Sequence, residues 1–221
     1  MSKTGEQGIK AVVFDIDGTL SPEISWLSLT RDLGGSVDSH IGIYQDYKEG
    51  RTTYKQSKQE LIALWQSTGN ANKPYFQALF EQWELAEGVE DIAANTQERL
   101  LVCLITGSMD LYAETVARKL GVSEWYANTT LHWDEEGNLA DMDYTLDQSK
   151  MKLEQFLGFC TAHQLEPQEC IVVGDSDNDV RLFEESGHGV AVGKEVPEML
   201  GKHAWKAIET IQQFEIIIGI Y

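Results

Sequence analysis

Ile9-Lys10-Ala11-Val12-Val13-Phe14-Asp15-Ile16-Asp17-Gly18-Thr19 is the stretch on which the reading of this chain turns. The apolar run predicts a buried strand, which hands two carboxylates, two residues apart, to a turn containing glycine. Successive strand residues point to opposite faces, so Asp15 and Asp17 are expected to emerge on the same side. Two like charges held that close call for a cation, and a divalent metal is the obvious one. The plainer reading is an Asp-rich turn after a buried strand, since Asp, Gly and Thr are all ordinary turn residues. The rest of the chain decides between them.

From residue 87 onward, short apolar runs alternate with amphipathic stretches. Leu100 to Ile105, Cys170 to Val173 and Val190 to Val192 read as buried strands. Helical patterns lie near 89–98, 110–120, 149–163, 178–187 and 208–217. This alternation predicts an α/β fold, a Rossmann-like parallel sheet with helices on both faces. Thr129 to Thr145 breaks the pattern: it alternates and turns at Glu136-Gly137-Asn138, as a small β-hairpin would. Residues 21–86 differ in kind. Their apolar residues recur at helical spacing, as in Leu61, Leu64 and Trp65, and Gly34-Gly35, Gly50 and Gly69-Asn70 punctuate them into about four helices. The expected organisation is a core domain of residues 1–20 and 87–221 with an inserted all-α domain at 21–86.

Ligands of open parallel sheets bind at the carboxyl ends of the strands, so the residues just past each apolar run are informative. Asp15 and Asp17 stand past the first. Thr106, Gly107 and Ser108 stand past the second and lead into a helix. Gly174-Asp175-Ser176-Asp177-Asn178-Asp179 stands past the third. Thr106-Gly107-Ser108 offers a hydroxyl and free N–H groups at a helix start, which suits either a phosphate or plain capping by Ser108 or Asp110. Asp175 and Asp179 can complete an oxygen-only site with Asp15, as Mg²⁺ requires. A calcium loop opening at Asp175 is excluded, because Val180 and Ser186 stand where Gly and Glu are needed. A trianionic substrate also wants a cation from the protein. Lys150, in the first turn after the candidate caps Asp147 and Ser149, is favoured over Lys152.

Composition bounds the function. With 221 residues and 42% hydrophobic content, the chain can bury a sizeable core. A net charge of −19 argues against nucleic acid and anionic membranes as partners. The polar start, Met1 to Gly8, the short late apolar run Ile216 to Ile220, and three cysteines that cannot all pair lead to the expectation of a reduced, cytoplasmic protein. Oligomeric state is left open.

Asp15-Ile16-Asp17-Gly18-Thr19-Leu20, Thr106-Gly107-Ser108, Lys150 and Gly174 to Asp179, in that order, resemble the four motifs of the haloacid dehalogenase superfamily. The match spans residues 9–20 and about 87–193. The helical insert resembles the C1 cap of the phosphoserine-phosphatase-like branch. That resemblance implies a Mg²⁺-dependent phosphatase acting on a small phosphorylated metabolite. Asp15 would form an aspartyl-phosphate and Asp17 would act as acid, then base. Thr106, Gly107, Ser108, Lys150 and Asn178 would hold the phosphoryl group. Mg²⁺ would be bound by Asp15, the Asp17 carbonyl, Asp175 and Asp179. The second Asp disfavours carbon–halogen chemistry. Transfer to an alcohol instead of water, or a non-catalytic binding role, are the alternatives.

In the cap the resemblance thins. Phosphoserine phosphatases hold the amino acid with a Glu after the first motif and an Arg in a cap helix. Glu23 lies one residue early for that role, and the matching stretch Ser57-Lys58-Gln59-Glu60-Leu61-Ile62 has no Arg. The cap is instead rich in aromatics, including Trp26, Tyr44, Tyr54, Trp65, Phe76, Phe80 and Trp83. They suit either a cage for a quaternary-ammonium ester or, more plainly, the cap's own core.

Overall fold

The computed structural model describes residues 8–145 and 147–219; the start of the chain and the last two residues of the apolar tail lie outside the described residues. β1 (Ala11–Phe14) sits at the centre of a seven-stranded sheet, flanked by β2 (Leu101–Met109) and β5 (Cys170–Gly174). Beyond β2 come β3 (Glu124–Trp133) and β4 (Leu139–Tyr144), and beyond β5 come β6 (Gly189–Val192) and β7 (Lys206–Ile208). All pairings are parallel except β3 with β4. Ala11 stands opposite both Leu101 and Cys170, so the three strands run in step and their carboxyl ends lie side by side.

Alternation along β1 builds two cores. Val12 and Phe14 face one side with Val102, Leu104, Ile171 and Val173, where α5 (Val89–Gln97), α6 (Asp110–Leu120) and α10 (Phe214–Ile218) pack. Ala11 and Val13 face the other with Cys103, Ile105 and Val172, covered by α7 (Gln148–Ala162) and α8 (Val180–Ser186). The edge of this layer is closed by α9 (Glu198–His203).

Between β1 and α5 the chain forms α1 (Ser25–Asp32), α2 (Val37–Lys48), α3 (Tyr54–Gln66) and α4 (Lys73–Gln82). Three of these start at side-chain caps. Ser36 accepts from Ser39 N, Thr53 and Gln56 form a reciprocal capping box, and Asn72 accepts from Tyr75 N. Leu29, Leu61, Ile62, Trp65, Phe76 and Phe80 are buried among them. Trp65 has no exposed surface, stacks on Trp26 at 5.9 Å and donates from Nε1 to Thr30 Oγ1 at 2.7 Å. Trp65, Phe76 and Phe80 are therefore core, as the plainer reading has it. The two ends of the segment meet where Ala86 N donates to Leu20 O at 2.8 Å.

The expected strands and helices stand near their predicted places, with a few differences. The helix expected over 208–217 is a turn at Ile211–Gln213 with the shorter α10 after it. Lys206–Ile208 just before it joins β6 as an edge strand, too brief to leave an alternating pattern. β3 begins well before the hairpin: its first half runs parallel to β2, and only its second half pairs with β4. β2 itself runs on through Thr106, Gly107 and Ser108, with a register shift between Thr106 and Met109. Cys103, Cys160 and Cys170 are free and buried, and among the described residues no helix is long and apolar enough to cross a membrane.

Truncating Trp65 removes a fully buried indole and its hydrogen bond to Thr30. Trp65→Ala is expected to lower unfolding free energy by about 3–5 kcal/mol, read by urea denaturation. A loss below about 1 kcal/mol would mean that these helices contribute little to global stability.

Candidate active site

The end of β1 sets the geometry. Asp15 N donates to Val173 O at 2.9 Å, which fixes the residue beside the end of β5. The chain then coils back: the N–H groups of Thr19, Leu20 and Ser21 all donate to Ile16 O. Gly18 makes the coil with φ +73°, and a Cβ there would lie 2.6 Å from Asp175 Cγ. Gly174 is similarly bare, since a Cβ would lie 2.9 Å from Asp179 Cβ. Both glycines are needed so that carboxylates can approach the backbone closely.

The carboxylates converge as the strand ends predict. Oxygens of Asp15, Asp175 and Asp179 lie within 4.8 Å of one another. Asp175 Oδ1 accepts from Thr19 Oγ1 at 3.3 Å. Into the same cluster comes the ammonium group of Lys152, 2.9 Å from Asp15 Oδ2 and 2.7 Å from Asp179 Oδ1. Lys152 is 1% exposed. Lys150, which the sequence favoured, is 62% exposed and faces Glu154 at 3.7 Å. Its backbone N–H takes the Asp147 cap at 3.0 Å, so its place in the first turn is as expected while its side chain points away. The correction is one of helix phase. Lys152, Phe156, Phe159 and Cys160 form the buried face of α7, and Lys150 falls off it.

Lys152 is in contact with Asp15 and Asp179, with Asp175 beside them, and burial shifts the acidity of several groups here. Burial raises the Asp15 pKa, with Lys152 opposing and Asp179 and Asp175 adding to the rise. Burial, then the Asp179 charge, lifts Asp175 to about 6. Burial also lifts Asp17 to about 6, against the pull of its hydrogen bonds from Ser25. Burial opposes the charge on Lys152, but Asp15 and Asp179 outweigh it and hold its pKa above the ordinary value. The site remains short of positive charge. Its all-oxygen donor set and the cradle that Gly18 leaves for Asp175 fit a hard divalent cation such as Mg²⁺, held by Asp15, Asp175 and Asp179.

Asp17 is held apart from this cluster. Its Oδ2 accepts from Ser25 N at 3.1 Å and from Ser25 Oγ at 2.6 Å, at the start of α1. Its Oδ1 is buried and has no partner among the described residues. Ser25 Oγ also meets Ser108 Oγ at 2.5 Å, and Trp26 Nε1 donates to Gly107 O at 3.4 Å. Thr106 and Ser108 are fully buried, with Ser108 N donating to Thr106 Oγ1 at 3.1 Å. The first turn of α1 thus closes over the Thr106-Gly107-Ser108 bulge. Ser25 and Trp26 were not singled out for this place by the sequence, and no pattern marks Ser25.

Two expected residues stand outside the buried cluster. Asn178 is exposed in the Asp177–Asp179 turn. Glu23 is half exposed, accepting from Ser28 Oγ and pairing with Arg31 at 3.0 Å.

Proteins of known kind resemble this chain in sequence and in fold. Residues 9–187 match the model of a family described as haloacid dehalogenase-like hydrolase. A phosphoserine phosphatase of Albidiferax ferrireducens is 28% identical over 193 residues, spanning 82% of this chain and 78% of that protein. A phosphoserine phosphatase of Methanocaldococcus jannaschii is 22% identical over 189 residues, spanning 84% and 86%. A substrate-bound phosphoserine phosphatase complex superposes with a TM-score of 0.73 at 21% identity, covering 98% of this chain and 100% of its own.

Removing one partner of a buried charge pair leaves the others uncompensated. Lys152→Met should therefore destabilise by about 3–5 kcal/mol, while Lys150→Met stays within about 0.5 kcal/mol, both read by denaturation. Equal effects would return the two lysines to parity. Mg²⁺ at about a hundred times its Kd should stabilise the wild type by about 2.7 kcal/mol, seen as a higher Tm. Asp175→Asn should raise the Tm of the metal-free protein and abolish that gain. A Tm of wild type indifferent to Mg²⁺ would contradict the metal assignment.

Proposed function

Because this chain belongs to the haloacid dehalogenase-like hydrolase family, we propose that it is a Mg²⁺-dependent phosphatase that cleaves small phosphomonoesters through an aspartyl-phosphate on Asp15. The observation that carries the reading is the contact of the buried Asp15 carboxylate with Lys152 beside Asp175 and Asp179.

In the first half of the reaction, a carboxylate oxygen of Asp15 attacks phosphorus in line. The P–O bond to the alcohol breaks, and the leaving oxygen takes a proton from Asp17. Two features equip Asp17 for this. Its pKa, raised to about 6 by burial, keeps a protonated fraction near neutral pH. Ser25 holds Oδ2, which leaves Oδ1 free to meet the leaving oxygen. In the second half, Asp17 takes a proton from water, the water attacks phosphorus, and the Asp15–phosphorus bond breaks to release phosphate. Lys152 holds the phosphoryl oxygens against Asp15, helped by the Thr106-Gly107-Ser108 bulge. A bound Mg²⁺ would offset the repulsion between carboxylate and phosphate.

Residues 21–86 act in this reading as a helical cap on a core of 1–20 and 87–221. The Ser25–Ser108 and Trp26–Gly107 contacts support it, since they lay the first turn of α1 over the Thr106-Gly107-Ser108 bulge. The cap opens for the alcohol to leave. The relatives named phosphoserine phosphatases support a small phosphorylated metabolite as substrate.

Hydrolysis of p-nitrophenyl phosphate tests the assignment. Asp15→Asn should lose about three orders of magnitude or more in kcat, and Asp17→Asn about 10²–10⁴-fold. Beryllium fluoride, which mimics an aspartyl-phosphate, should bind the wild type and not Asp15→Asn. Substantial turnover by Asp15→Asn would exclude Asp15 as the nucleophile.

A further inference from the structure

We infer that Gln148, the first residue of α7, is a positioning residue for phosphate: its side-chain amide, locked by Asn128, backs onto Gly107 and sets the Thr106-Gly107-Ser108 bulge relative to Lys152. This inference deepens the phosphatase reading and rests on it.

The bulge lies where β2 slips against β3. The two strands are in register at Thr106 and Ala127 and again at Met109 and Thr129, which leaves Gly107 and Ser108 opposite the single residue Asn128. Such a bulge interrupts the ladder and leaves backbone to be held by other means. Asn128 is buried, and its Nδ2 donates both to Gln148 O at 3.2 Å and to Gln148 Oε1. Gln148 Nε2 donates in turn to Thr145 O at 2.6 Å. A carbonyl only accepts, so the amide nitrogen belongs at Thr145 and the amide oxygen at Asn128. That oxygen rests behind the bulge. A Cβ on Gly107 would lie 3.2 Å from Gln148 Oε1, and, the chain neighbours of Gly107 aside, no other described residue would come within 4 Å of it.

The same helix carries Lys152 one turn farther on. Residues at that spacing share a helix face, so Gln148 and Lys152 both reach the strand ends, one against Gly107 and the other between Asp15 and Asp179. The two parts proposed to hold the phosphoryl oxygens, ammonium and bulge, are thus both referred to one helix. Gln148 acts from behind the cradle and not by touching substrate. The atom it sets against Gly107 is an acceptor, which a phosphoryl oxygen avoids. Gln155, farther along α7, marks the contrast: it also ties the helix to β3, through Nε2 to Ala127 O at 3.2 Å, but its bond goes to the paired part of the strand.

The test measures KM for p-nitrophenyl phosphate and Ki for inorganic phosphate on the purified protein with Mg²⁺. Gln148→Ala should raise both by about tenfold with kcat changed less than about threefold, the mark of lost binding common to ground and transition states. Gln148→Asn keeps the amide and shortens its reach; it should do the same, and it decides if Gln148→Ala does not fold. Gln155→Ala, which removes the other tie between α7 and β3, should leave KM and Ki within about twofold. Gly107→Ala should raise Ki by about tenfold beside Gln148 and by about threefold or less in the Gln148→Ala background, where the new Cβ has room. An unchanged Ki in Gln148→Ala with turnover intact would overturn this inference alone. So would equal effects of Gln155→Ala, or an equal cost of Gly107→Ala in both backgrounds. No turnover by the wild type, with no beryllium fluoride binding, would sink the phosphatase reading beneath it.

Discussion

The buried ammonium group of Lys152 is the interaction on which the rest of this structure depends. It lies between Asp15 and Asp179, at 2.9 and 2.7 Å, and so joins α7, the end of β1 and the turn after β5. Any of the three charges alone in that environment would be prohibitively desolvated. Together they remain an excess of negative charge, because Asp175 and Asp17 stand beside them. The cluster is therefore a poor device for stability and a good one for gathering cations at one point.

The order of the strands explains how four distant pieces of sequence reach that point. β1 is central and lies between β2 and β5, so the ends of all three strands are neighbours. Asp15, the Thr106-Gly107-Ser108 bulge and Asp175 are delivered by those ends. α7 comes from outside the sheet, and its buried face brings Lys152 across. Gly18 and Gly174 finish the arrangement by leaving no Cβ between backbone and carboxylate. The helices between β1 and α5 add the last wall, through Ser25 and Trp26 in the first turn of α1.

Much of this was legible in the sequence, for reasons that can be named. Buried parallel strands are continuous apolar runs, and active groups gather at their carboxyl ends, so Asp15, Asp17, Thr106, Asp175 and Asp179 could be read from position alone. Lys152 could have been read too. Counting back from Phe159 and Phe156 at helical spacing reaches Lys152, whereas nearness to the cap points to Lys150. The cap signal fixes where a helix begins and says nothing of which way its side chains face. Ser25 is a different case. It is one of several serines near the first motif, and its meeting with Asp17 and Ser108 depends on how α1 docks. β7 was missed because three residues at an edge leave no period to detect.

Asp15 and Asp17 come from one turn yet differ in what holds their oxygens, and that difference divides their proposed labour. Asp15 has Ile16 N on Oδ1 and Lys152 on Oδ2. Donors on both oxygens favour the ionised form, as a nucleophile needs, against the burial that raises its pKa. Asp17 has both of its donors on Oδ2, from Ser25, and a bare, buried Oδ1. A carboxyl group with one buried, unpartnered oxygen can carry its proton there. Ser25 fixes which oxygen that is. The same hydroxyl touches Ser108 in the Thr106-Gly107-Ser108 bulge, so the group that orients the proposed acid also joins α1 to the end of β2. In the proposed reaction, the orientation of the acid and the docking of α1 thus meet in one side chain: Ser25 holds Asp17 with its N–H and hydroxyl, and the same hydroxyl binds Ser108.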